Sequence, residues 1–217
     1  MNAPSRPPNS EKTESPSNRP ARTSGRPWMD EPSLRLRERL AGVPSGSLVK
    51  GWLVHSIVDN ARRHGTELST NRKYLGFKDY PVEEYLELLA QAAANVLPGR
   101  SPKETLRELG RGVYPHFAQS LFGKVILGGL GSGHEGARTG LRWIARVYRM
   151  TSNHAVANFT ESSDDVAIVD LENVWSFPDT YHVGIFEGAA RGFGGHVSVD
   201  IEVRSLSSAR LTFTWRD

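Results

Sequence analysis

Between the apolar run Val125-Ile126-Leu127 and a segment of helical periodicity, the chain reads Gly131-Ser132-Gly133-His134-Glu135-Gly136. In a dinucleotide-binding unit, G-x-G-x-x-G spacing lets backbone N–H groups close on a pyrophosphate at a helix N-terminus, and a later acidic side chain binds the ribose. Glu161 stands at about the expected separation for that carboxylate. The motif, however, requires a parallel β-α-β continuation. Here the next two apolar runs are joined by Glu161-Ser162-Ser163-Asp164-Asp165, a polar link too short for a parallel crossover. A nucleotide-cofactor protein built on the Gly131–Gly136 loop is thus an alternative that the order of elements disfavours. No G-K-[S/T] follows, so the phosphate cradle of a P-loop is missing too.

The other reactive side chains form no recognised constellation. The seven histidines (His55, His64, His116, His134, His154, His182 and His196) include no H-x-x-x-H pair, and His134-Glu135 lacks the second histidine of a zinc-binding helix. A metal site would have to gather histidines distant in sequence, and no metal ligand is assigned. His116, beside Pro115, is the histidine to consider for haem ligation or general-base work, the plainer reading being a hydrogen-bonded histidine at a helix break. The acidic group Glu161, Asp164, Asp165, Asp170 and Glu172 lacks calcium-loop spacing. Ser132 lies outside any G-x-S-x-G elbow. The chain has no cysteine, which excludes disulfides, thiolate metal sites and a cysteine nucleophile. Neither a catalytic residue nor a cofactor is expected.

What remains is aromatic density after residue 140, most of it core material where helices cover a sheet. A subset could line an apolar pocket between helices and sheet: Trp143, Trp175 and Tyr181, with Tyr114 and His116 from the helix that Pro115 interrupts, are its candidate lining. The elements that would position them are legible. Leu53, Ile57 and Val58 share one face of a helix over 49–63, closed by Arg62-Arg63-His64-Gly65. Pro81 opens a second helix, whose buried stripe is Val82, Leu86, Leu89, Ala93 and Val96. Ser101-Pro102-Lys103-Glu104 is a capping box that starts a third, and Pro115 must kink or break it near Tyr114. A further helix is predicted over about 137–150.

The end of the chain is the most regular part. Gly184, Gly188 and Gly192 fall four apart on a helix that also carries Tyr181, Ile185 and Ala189. That bare face suits either close approach to the sheet or an interface where two helices from different subunits cross. Val197, Val199, Ile201 and Val203 then alternate with polar residues, as do Leu211, Phe213 and Trp215, across the short link 205–208. The runs 154–159 and 166–171 form an earlier hairpin. The fold class is α+β, with N-terminal helices packed on an antiparallel sheet of about four strands in β-β-α-β-β order.

The first 30 residues hold six of the 13 prolines, several serines and no large apolar residue between Met1 and Trp28. Residues 1–32 are therefore read as a disordered tail, and 33–217 as a single domain. The tail carries five basic and three acidic residues, or +2 of the net +3, leaving the rest at +1 (22 minus 21). So nearly neutral a domain lacks the basic field that nucleic-acid binding requires. There is no apolar run of signal-peptide or membrane-span length, so a cytoplasmic location is expected.

Val49-Lys50-Gly51, Asp79-Tyr80-Pro81, Leu109-Gly110-Arg111, Glu187-Gly188 and Phe213-Thr214-Trp215 occur in an order that resembles a family of uncharacterised proteins of about this length, abundant as paralogues in myxobacteria. That resemblance brings no reaction with it. A wider one, over residues 110–215, is to the vinyl-reductase-like, haem nitric-oxide-binding and TRAPP-type domains, whose shared fold implies a small-molecule sensor or an assembly module. Ser205, Ser207 and Ser208 stand where the vinyl-reductase-like group often has cysteines, and no motif places a proximal haem histidine. The expectation is a non-enzymatic regulatory module that binds a small apolar ligand or a partner protein, with a scaffold or homo-oligomerisation module as the alternative.

Overall fold

The computed structural model describes residues 26–70, 72–119, 123–124, 133–161, 163–193 and 197–215. Gly131, Ser132 and His196 lie outside these, and with them the start of the glycine motif. Pro27–Asp30 forms one 3-10 turn, ahead of the boundary expected at residue 33, and Trp28 and Met29 pack against the core. The remaining elements in chain order are α1 (Leu36–Gly42), β1 (Leu48–Lys50), α2 (Gly51–Arg63), β2 (Asp79–Pro81), α3 (Val82–Asn95), α4 (Pro102–Arg111), α5 (Val113–Gln119), α6 (Gly133–Arg142), α7 (Ile144–Thr151), β3 (Val156–Glu161), β4 (Val166–Glu172), α8 (Tyr181–Gly192), β5 (Val197–Val203) and β6 (Ala209–Trp215).

The architecture is the expected α+β one. β3, β4, β6 and β5 lie side by side in that order, every pair antiparallel, with α8 connecting the two hairpins. The register sets Ala167 against Phe213 and Val169 against Leu211, so one face of the two central strands is buried. β5 is an edge strand, and its alternation gives less than the sequence suggests: Val197, Val199 and Ile201 are only partly covered, and Val203 is 58% exposed. The opposite face is polar, where Asp170 accepts from Arg210 at 2.8 Å and Arg204 at 2.9 Å.

Two apolar clusters result. One gathers α2, α3 and α4 around Leu86, Leu89, Leu106 and Leu109; the other packs α6, α7 and α8 on the sheet around Val169, Phe186, Leu211 and Phe213. Helix starts follow local chemistry. The Ser101 hydroxyl accepts from the Glu104 amide, and the Glu104 carboxylate accepts from the Ser101 amide, completing the capping box. Pro115 falls in the first turn of α5, where its missing N–H is tolerated, and the break with α4 comes at Gly112. The helix expected over 137–150 is two, α6 and α7, which meet at Trp143.

Residues 35–39, Arg-Leu-Arg-Glu-Arg, carry four charges in five positions and fall largely on α1. Arg39 on α1 is buried, donates to the carbonyls of Leu34, Trp175 and Leu206, pairs with Asp179 at 3.3 Å, and lies 4.4 Å from the Phe177 ring. It thereby ties α1 to the loop after β4 and to the β5–β6 turn.

α8 runs between the two clusters and touches α4 along the glycine row. A Cβ on Gly184 would stand 2.0 Å from the Arg107 carbonyl oxygen, one on Gly188 2.4 Å from that of Arg111, and one on Gly110 2.1 Å from that of Tyr181. The bare face therefore serves neither the sheet nor a second subunit: α4 of the same chain occupies it. Glu187 reinforces the contact, accepting from Arg107 at 3.1 Å and Arg111 at 2.8 Å. Burial pushes the Glu187 carboxyl up, but hydrogen bonds and charge from the two arginines outweigh it and hold the group below the ordinary carboxylate range.

On the other flank of α8, His182 Nε2 lies 2.7 Å from Ser176 Oγ, while Nδ1 meets the Tyr148 hydroxyl of α7. A neutral imidazole has one donor and one acceptor nitrogen, so one hydroxyl donates to the ring and the other accepts from it. Burial, with a smaller contribution from the nearby Arg39 charge, pushes His182 down to about 3.

Two outcomes follow from these contacts. Gly184→Ala forces α8 off α4 and should cost about 2–3 kcal/mol in urea unfolding, the upper range for an overpacked core. Gly76→Ala, whose Cβ would be 3.6 Å from its nearest neighbour, should change stability by less than about 0.5 kcal/mol. For His182, the folded state refuses a proton that the unfolded chain takes up below its ordinary value of 6.5, so its neutral burial stabilises fully above 6.5 and progressively less down to about 3. His182→Gln loses hydrogen bonds at pH 7.5, yet its stability deficit should shrink by about 1.4 kcal/mol per pH unit below 6.5. A deficit that stays constant with pH would contradict the assignment.

Candidate functional site

Where the two apolar clusters meet, they leave a cavity of about 110 Å³. Each wall comes from a different element. α5 contributes Val113, Tyr114 and Phe117; α8 and its C-cap contribute Ile185, Phe186, Ala189 and Phe193. Val197, Phe213 and Trp215 form the sheet side, Ala137, Leu141 and Trp143 come from α6 and its end, and Trp52 reaches in from α2.

Glycines create room for two of the aromatic walls. A Cβ on Gly192 would lie 1.8 Å from the Tyr114 ring, and one on Gly140 2.8 Å from that of Phe193. Tyr114 and Phe193 then meet with ring centroids 5.5 Å apart, and Trp52 meets Phe117 at the same separation. The last glycine of the α8 row thus has a different task from the first two: it seats a wall of the cavity rather than a helix backbone. Outside, Arg146 covers Trp143, 4.9 Å from the ring centroid. Tyr114 brings the one side-chain oxygen among the described lining residues, and burial pushes its phenol up, so it stays protonated. These walls are apolar apart from one hydroxyl, and the described lining residues include no base or nucleophile.

Of the residues expected to line a pocket, Tyr114 and Trp143 are brought together here and three stand elsewhere. Trp175 packs into the helical cluster, over Gly42 of α1. Tyr181 is fully buried and meets the Tyr85 hydroxyl at 3.2 Å. His116 faces away from the cavity toward α2, where Nδ1 is 4.0 Å from Asp59 Oδ2, and burial holds its imidazole below the ordinary range. Trp52, Phe117 and Phe193 line the cavity without having been singled out. Each sits at an ordinary helical core spacing, and only the packing of α2, α5 and α8 brings them together.

The glycine motif has a structural role in its described part. Gly133–Gly136 are the first turn of α6, and Glu161 accepts from Arg138 at 2.8 Å and Arg142 at 2.7 Å, fastening α6 to the first hairpin. Among the described residues every strand pair is antiparallel, which leaves no parallel crossover for a dinucleotide.

Among the described residues, no helix is long and apolar enough to cross a membrane. The architecture is similar to that of solved H-NOX domains. An unliganded Fe(II) H-NOX protein from K. algicida matches with a TM-score of 0.58 and 13% sequence identity, over 77% of this chain and 97% of that one. A mutant H-NOX domain of T. tengcongensis matches with a TM-score of 0.54 and 14% identity, over 76% of this chain and 94% of the other. A third structure, from work on haem redox potential and porphyrin distortion, matches at 0.56 and 16%, over 77% and 92%. At such identities the likeness is one of fold. None of the curated proteins matches the chain. A family model does, over residues 44–216, and the chain accordingly belongs to DUF2378, a family of proteins of unknown function.

Proposed function

We propose that this domain is a regulatory module that takes up a small apolar ligand, about the size of one aromatic ring, in the cavity between α5, α6, α8 and the sheet. The observation that carries the reading is the cavity itself, walled by aliphatic and aromatic side chains from both clusters. Apolar cavities of roughly 150 Å³ stay dry and bind benzene, so one of about 110 Å³ suits a ligand of that class or smaller. Its position suits a sensor. A molecule held there touches α5 and Trp52 on one side and the sheet on the other, so occupancy is felt by both clusters at once.

The H-NOX likeness raises the question of haem, and the described residues do not fit it. Among the described side chains no histidine lines the cavity: His182 is held on both ring nitrogens, and His116 lies with Asp59. No arginine lines it to meet propionates, and the volume is that of a single ring rather than a macrocycle of four. Tyr114 could offer an oxygen to iron, as tyrosine does in some haem proteins, but the space for the macrocycle is lacking.

The test uses benzene, toluene and indole as probes, read by thermal shift and by the fluorescence of the cavity tryptophans. Benzene and toluene should raise Tm, and the rise should grow with the logarithm of ligand concentration once the site is filled. Ala189→Phe, which fills the cavity from α8, should weaken both at least about tenfold while leaving the far-UV circular dichroism unchanged. If none of the probes binds, or if they bind Ala189→Phe as well as the wild type, the reading fails.

A further inference from the structure

α2 and α5 touch at two places. On the inner side Trp52 packs on Phe117 at the cavity wall. One turn along, on the wetter side, His55 and Asp59 of α2 meet His116 of α5. The spacing is what makes this second contact unusual: His55 and Asp59 are i and i+4 on one face of α2, and His116 directly precedes the Phe117 that fixes α5 in place.

We infer that His55, Asp59 and His116 form a binding site for a divalent transition ion of the zinc class, clamping α2 to α5. One ligand atom from each residue lies within 4.8 Å of the other two. His55 Nδ1 is 3.0 Å and His116 Nδ1 4.0 Å from Asp59 Oδ2. Bonds of about 2.0–2.1 Å to a tetrahedral ion put neighbouring donors roughly 3.4 Å apart, so the set needs only small side-chain rotations to close on a metal. Two imidazoles and one carboxylate favour zinc, cobalt or nickel over magnesium or calcium, which prefer all-oxygen shells.

The surroundings fit an accessible ion. Asp59 and His116 are each 21% exposed and His55 47%, which leaves a side open for water or an exogenous ligand. Arg62, 3.2 Å from Asp59 Oδ1, is the competing cation; its side chain is 64% exposed and free to swing into solvent. The cavity contains none of the three ligands, so this site stands independently of the apolar-ligand reading.

The experiment is calorimetric titration of the untagged full chain with Zn²⁺, with Mg²⁺ in parallel and Co²⁺ absorption as a direct report of coordination. One Zn²⁺ should bind per chain and raise Tm by several degrees, Mg²⁺ should do neither, and Co²⁺ should give visible bands of a low-coordinate ion. His55→Ala, at a half-exposed position that leaves the fold intact, and His116→Ala should each weaken Zn²⁺ binding at least tenfold. Arg62→Ala should tighten it, and His64→Ala, outside the set, should change nothing. No binding by the wild type, or binding that survives both His55→Ala and His116→Ala, would overturn the assignment.

Discussion

The junction of the two apolar clusters depends on how closely α4 and α8 approach. With Gly110, Gly184 and Gly188 at the crossing, the backbones come together with no side chain between them, and Glu187 bonds two arginines of α4 across the same contact. Close contact on that face frees the rest of α8. Val183 and Phe186 turn toward the sheet, and Tyr181 and Ile185 toward the helices. α8 thus contributes to both clusters, its bare face lying on α4. The cavity is what remains where those clusters fail to close completely, and Gly192 seats Tyr114 as part of its wall.

The regular parts of this fold were legible because local chemistry decides them. The Ser101/Glu104 box, Pro81 ahead of α3 and the alternation around Leu211, Phe213 and Trp215 each declare an element in a few residues, and two short polar links fix both hairpins as antiparallel. Tertiary packing decides what was not legible. Arg39 reads as part of a charged surface segment, but it is buried because carbonyls from residues 34, 175 and 206 converge on it. The glycine row announces a close approach without naming its partner. Likewise His55 and Asp59 stand i and i+4, but nothing in the sequence singles them out until the packing of α5, some 60 residues on, supplies His116. Of the site itself, Tyr114 and Trp143 could be proposed from aromatic density; Trp52, Phe117 and Phe193 are indistinguishable from other core residues until the helices are assembled.

Similarity to H-NOX domains at 13–16% identity is one of fold, and a shared fold carries no function by itself. The contents are this chain's own: an apolar cavity with a single phenol, a histidine locked between two hydroxyls, and a His-Asp-His cluster on the outer side of α2 and α5. Since α2 and α5 supply both the cavity wall and that cluster, whatever alters their packing bears on both.

If an apolar molecule enters the junction of the two clusters, alanine-methyl NMR with benzene should register it, because alanines mark both the cavity and its alternatives. Shifts should be confined to Ala137, Ala189 and Ala190, which line the cavity, with Ala90, Ala92 and Ala93 of α3 unmoved in the helical core. Shifts centred on α3, or none at saturating benzene, would contradict binding at the junction.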